Sequence, residues 1–135
     1  MPGSDRKIGI PNSSGDRLLA TKPGDHCPDA GDFIWVDLHP TLGHEQSGHR
    51  PAIVLTPRSY NARSGLCILC PITSRARGYP FEVAIPHGHT ISGVVLADQP
   101  RSVSWEKRYV KIAGMASIKL LDDVRERLAV LLQID

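Results

Sequence analysis

Phe33-Ile34-Trp35-Val36-Asp37-Leu38 is rich in β-branched and aromatic side chains and follows Gly31-Asp32, where the punctuation of the chain allows structure to begin. Such a run reads as a strand. Its period of two sends Ile34, Val36 and Leu38 to one face and Phe33 and Trp35 to the other, so both faces are apolar. Comparable runs follow at AIVL (52–55), LCILCPI (66–72), FEVAI (81–85), GVVLAD (93–98) and YVKIAGMA (109–116), separated by Pro, Gly, Asn and Ser. Short strands so spaced predict a mainly β fold, a small, highly curved antiparallel barrel rather than alternating βαβ units. The second apolar face needs a cover, either the chain's own helix or a second subunit.

One helix is predicted, roughly over residues 119–133. Leu121, Val124, Leu128, Leu131 and Leu132 form a core-facing stripe at helical spacing. Asp122 and Asp123 lie near its N-terminal end, where the helix dipole favours them. Residues 1–27 are rich in Pro, Gly, Ser and Asp without sustained periodicity and read as a flexible extension. The rest, 28–135, is the length of one domain with one core.

The 135 residues carry a formal net charge of only +2, but its distribution is uneven. Between Arg50 and Lys111, nine basic residues (Arg50, Arg58, Arg63, Arg75, Arg77, Arg101, Lys107, Arg108, Lys111) face Glu82, Asp98 and Glu106, which leaves that block at +6. A block of that sign attracts a polyanion, because neutralised phosphates release counterions. Nothing resembles a secretory signal, and no apolar run approaches bilayer length, so a cytoplasmic protein without membrane contact is expected. Cys67-Ile68-Leu69-Cys70 has the spacing of a zinc or redox motif, yet lies in a strand-like run that sends its sulfurs to opposite faces. Cys67 and Cys70 are therefore read as packing residues.

The chemistry-bearing stretch is Gly43-His44-Glu45-Gln46-Ser47-Gly48-His49-Arg50-Pro51, between two apolar runs, where an inter-strand loop is expected. His44 and His49 are five apart, so no helix would bring them to one face, and a zinc-protease site is rejected. No metal and no cofactor are expected. No serine occupies a nucleophile elbow. Cleavage of RNA suits the available side chains. The ribose 2′-hydroxyl is its own nucleophile, so the protein supplies only a proton acceptor, a proton donor and positive charge around the phosphorane. Histidine, glutamate, arginine and hydroxyls are sufficient for that.

From Pro28 to the C-terminus the sequence resembles the MazF/PemK (Kid) toxins of bacterial toxin–antitoxin systems, and the MazF branch more closely than the Kid branch. The resemblance is carried by G-D-F-I-W-V-D, G-H-E-Q-S-G-H-R-P, P-I-T-S, G-Y-P-F-E-V and L-A-D-Q. It implies an SH3-like barrel of the CcdB/MazF type with a C-terminal helix, acting as a homodimer. It also implies a metal-independent, sequence-specific endoribonuclease that cleaves single-stranded RNA, chiefly mRNA. The expected products carry a 2′,3′-cyclic phosphate and a 5′-hydroxyl, and the expected inhibitor is a MazE-like antitoxin.

By position in those motifs, Arg50 is the principal catalytic residue and Thr73 hydrogen-bonds the scissile phosphate, with Ser74 beside it. Glu45 either orients Arg50 or takes the 2′-proton, and His44 matches a catalytic histidine of Kid-like members. Gln46, His49, Asp98, Gln99 and Arg101 complete the expected RNA contacts. Leu96 stands where Kid-like members carry an arginine. The alternative on the same fold is a non-catalytic toxin that binds DNA gyrase. Such toxins end in Trp-Gly-Ile, whereas this chain ends Leu132-Gln133-Ile134-Asp135.

Overall fold

Every apolar run picked out above forms a strand in the computed structural model, which describes residues 26–38 and 49–134. Among the described residues the order is β1 (Asp32–Asp37), β2 (His49–Val54), α1 (Arg58–Ser64), β3 (Leu66–Thr73), β4 (Glu82–Ala84), β5 (Val94–Leu96), β6 (Arg101–Ser104), β7 (Lys111–Met115) and α2 (Ile118–Leu132). The fold is mainly β, with all pairings antiparallel and a strand order β4-β5-β3-β2-β1-β7, while β6 also pairs with β3.

Strand β3 produces the curvature. Along one edge, Leu66–Leu69 pair with β6, and Ile72–Thr73 then pair with β5. Changing partners along one strand turns a corner in the sheet. Gly93, at φ +121°, permits the second pairing, since a Cβ there would overlap the Thr73 carbonyl oxygen. Only glycine fits so close an approach of two backbones.

The two apolar faces of β1 are covered except at Trp35. Phe33 belongs to a cluster with Ile53, Cys70, Ile72, Val95, Leu120 and Val124, so the chain's own α2 covers that face. Ile34 and Val36 pack on the other side with Ala52, Val54, Cys67, Leu69, Val103 and Trp105. Cys67 and Cys70 thus fall on opposite sides, as a period of two requires. Burial pushes both thiols up to about 12, which keeps them protonated and inert at neutral pH.

Helix α2 starts where Ser117 Oγ accepts the Leu120 N–H at 3.1 Å, a side-chain N-cap. Its buried stripe is shifted from the expected one. Leu120 and Val124 are buried and Leu121 and Leu128 pack partly against the same cluster, but Leu131 and Leu132 are exposed. From Val130 to Leu132 the helix leaves the cluster and faces solvent. Asp122 and Asp123 lie beyond the first turn, so they do not cap the dipole; Asp123 instead pairs with Lys119 at 3.2 Å.

Two elements escaped the sequence reading. Helix α1 has seven residues and only Asn61 buried, so it shows no apolar stripe. Asn61 is its anchor: its Nδ2 donates to the carbonyls of Pro28 and Thr56 at 2.8 and 2.9 Å, and its Oδ1 accepts from Thr56 Oγ1 at 2.7 Å. Strand β6 has one buried residue, Val103, and too little pattern to be seen. No helix among the described residues is long and apolar enough to cross a membrane.

Candidate active site

Strand β2 changes character along its length. Ala52, Ile53 and Val54 are buried, while His49 and Arg50 are exposed at its start. These residues, and Pro51, belong to the strand rather than to the loop expected from the sequence, since Asp37, Val36 and Trp35 of β1 pair with them. Residues 39–48 lie outside the described residues, and with them the expected site residues His44, Glu45 and Gln46.

Arg50 lines a depression of about 660 Å³ together with Trp35, Pro51, Thr73, Ser74 and Arg75. Two tight constraints build it. The end of β3 is held against β5 at Gly93, which fixes Thr73. The opposite wall, Thr90–Ser92, belongs to the β4–β5 connection, which is tied down twice. Thr90 Oγ1 donates to the Ala113 carbonyl at 2.8 Å, and His89 Nε2 accepts the Ser117 N–H at 3.1 Å. With Nε2 accepting, Nδ1 carries the proton and donates to the Pro86 carbonyl at 2.9 Å. His89 also sets its ring edge-on to Phe33, with 5.7 Å between centroids.

Thr73 has the geometry of a donor. Its Oγ1 accepts the Arg75 backbone N–H at 3.1 Å, which orients the hydroxyl through an acceptor site and leaves its own O–H to point elsewhere. Thr73 and Arg75 also line a second depression, of about 370 Å³, with Arg77, Tyr79, Glu82, Leu96, Asp98 and Gln99. The two hollows form a surface that supplies three guanidinium groups, several hydroxyls, two carboxylates and an amide. This suits an extended anion bearing hydrogen-bonding groups.

Of the residues expected from sequence, the structure brings Arg50, Thr73 and Ser74 into one depression and Asp98 and Gln99 into the adjoining one. His49 and Arg101 line neither. His49 is exposed and lies opposite Asp37. Arg101, on β6, donates to the Leu38 carbonyl at 3.4 Å. Only Arg50, Arg75 and Arg77 of the nine-residue basic block line these hollows, whereas Arg58 pairs with Asp29 at 3.5 Å. Trp35, 40 % exposed, was missed as a site residue, although its place on the second face of β1 was readable. Among the described residues no group of three or more His, Cys, Asp or Glu is disposed to hold a metal ion.

The profile of a family described as PemK-like, MazF-like toxin of type II toxin–antitoxin system matches residues 29–132. The endoribonuclease toxin MazF of Escherichia coli (strain K12) is 44 % identical over 107 residues, which cover 79 % of this chain and 96 % of that protein. Endoribonuclease PemK of Escherichia coli is 36 % identical over 104 residues, 73 % of this chain and 78 % of that one. A chain in the MazE–MazF crystal structure (Form-II) from Deinococcus radiodurans superposes with a TM-score of 0.72 at 43 % identity, covering 81 % of this chain and 98 % of that chain. With this fold, and with the match running through both depressions, the chain belongs to the PemK-like, MazF-like toxin family, nearer in sequence to its MazF than to its PemK relatives.

Proposed function

We propose that this protein is a sequence-specific endoribonuclease toxin that cuts single-stranded RNA, chiefly mRNA, by attack of the ribose 2′-oxygen on the adjacent phosphorus. The observation that carries the reading is the convergence of Arg50 and the Thr73 hydroxyl on one open depression. In that reaction the 2′-O–P bond forms as the P–O5′ bond breaks. The 2′-proton passes to a base and the leaving 5′-oxygen takes up a proton, giving a 2′,3′-cyclic phosphate and a 5′-hydroxyl. Arg50 stabilises the charge that builds on the phosphorane oxygens, and Thr73 donates its O–H to one of them, with Ser74 beside it. An arginine hardly ever deprotonates, so Glu45 is the better acceptor for the 2′-proton, with His44 the candidate donor to the leaving oxygen. Asp98, Gln99 and Gln46 contact bases or backbone, and His49 and Arg101 act at the margin of the site. Because the nucleophile belongs to the substrate, the step needs no metal.

The likeness to chains from MazE–MazF complexes supports a MazE-like antitoxin as the natural inhibitor. We further assign residues 28–135 as the toxin domain, an SH3-like barrel working as a homodimer in the cytoplasm, with 1–27 as an extension. The test is cleavage of a single-stranded RNA in excess EDTA beside a chimera with deoxyribose 5′ to the scissile phosphate. The RNA is cut and the chimera is not. Cleavage of the chimera, or a strict need for a divalent ion, defeats the mechanism.

A further inference from the structure

The β3–β4 connection carries Arg75, Arg77 and Tyr79 into the second depression, and Tyr79 is 59 % exposed there. An exposed loop bearing two arginines and an aromatic ring needs something to hold its shape. The side chain that does so is Glu82, at the start of β4. Its carboxylate accepts the Arg77 N–H at 3.0 and 3.1 Å and the Gly78 N–H at 2.9 Å. Gly78 at φ +79° turns the chain so that both amides face inward. The Glu82 N–H closes the turn onto the Tyr79 carbonyl at 3.1 Å. From outside, Arg127 of α2 donates to the carbonyls of Pro80 and Glu82.

We propose that Glu82 is a positioning residue that sets RNA sequence selectivity by fixing the Arg75–Tyr79 loop over the second depression. The inference rests on the ribonuclease reading. Glu82 turns its carboxylate oxygens onto the backbone amides of its own loop. Hydrogen bonds to an ionised acceptor are about twice as strong as neutral ones. Without them Arg77 and Tyr79 lose their common orientation and the bases they contact are no longer discriminated.

The experiment combines amide exchange with cut-site mapping by primer extension on a long RNA. In the wild-type chain the Arg77 and Gly78 amides exchange slowly for an exposed loop. In Glu82→Ala both exchange roughly tenfold faster or more, KM for the preferred site rises roughly tenfold and secondary cut sites appear, while kcat at saturation stays within about threefold. Glu82→Gln keeps one acceptor oxygen for both amides and restores the wild-type cut sites. Wild-type Arg77 and Gly78 amides that exchange as unprotected, a result that needs no variant to fold, overturn the proposal. So does Glu82→Ala with unaltered cut sites and KM. A wild-type protein that cuts no RNA overturns the ribonuclease reading instead, and this proposal with it.

Discussion

The two halves of β2 share one strand and obey opposite rules. Ala52, Ile53 and Val54 are buried on both faces of the sheet, between the cluster that α2 covers and the one closed by Trp105. Three residues earlier, His49 and Arg50 are open to solvent at the edge of a depression. The buried half gives the strand its position and little chemistry, whereas the open half has the chemistry and contributes little to stability. On the proposed ribonuclease reading, a charge at Arg50 is useful because Pro51, paired with Trp35, and the buried residues after it hold the strand in place.

Substitutions can separate the halves. The largest effect is expected for Arg50→Ala, which should lower kcat on RNA by roughly 10³-fold while thermal unfolding stays unchanged, because the side chain is exposed and, in the proposed reaction, acts only on the phosphorane. A large loss of stability instead would show that the open half is structural after all. Thr73→Val keeps the shape and removes the hydroxyl. Single-turnover cleavage should slow by roughly 10²-fold, with a small loss of stability from the unpaired Arg75 N–H. Ile53→Ala tests the buried half. It should cost about 2–5 kcal/mol in urea unfolding, with the activity of the folded fraction nearly unaltered. The smallest change is expected for His49→Ala, next to Arg50 but lining neither depression. Cleavage should fall by no more than about fivefold and stability within about 0.5 kcal/mol; a loss as deep as that of Arg50→Ala would place the imidazole at the phosphate.

The sequence made some regions far more legible than others. Strands buried on two faces were visible as apolar runs, and the opposite orientation of Cys67 and Cys70 followed from the pleat alone. Strand β6 was not visible, because an edge segment with one buried residue has no pattern to read. Helix α1 was hidden for a different reason: it is held by the three hydrogen bonds of Asn61, one of them to Pro28, and polar anchoring has no periodicity. The stripe of α2 was found but continued too far, since helical spacing cannot reveal how far along the helix the core extends.

At the site, Arg50, Thr73, Ser74, Asp98 and Gln99 were each recognisable from motifs. Their division into two adjoining hollows, and the company of Trp35, Arg75, Arg77 and Tyr79, were not. By itself, then, the sequence determined every strand but β6, the inward alternation and the family, all of which depend on residue type at short spacing. Only the tertiary structure decided which apolar face α2 covers, which arginines of the basic block converge, and that Glu82 folds back on its own loop. Those outcomes depend on the register of β3 against three neighbours, and register is set by all of these pairings forming together.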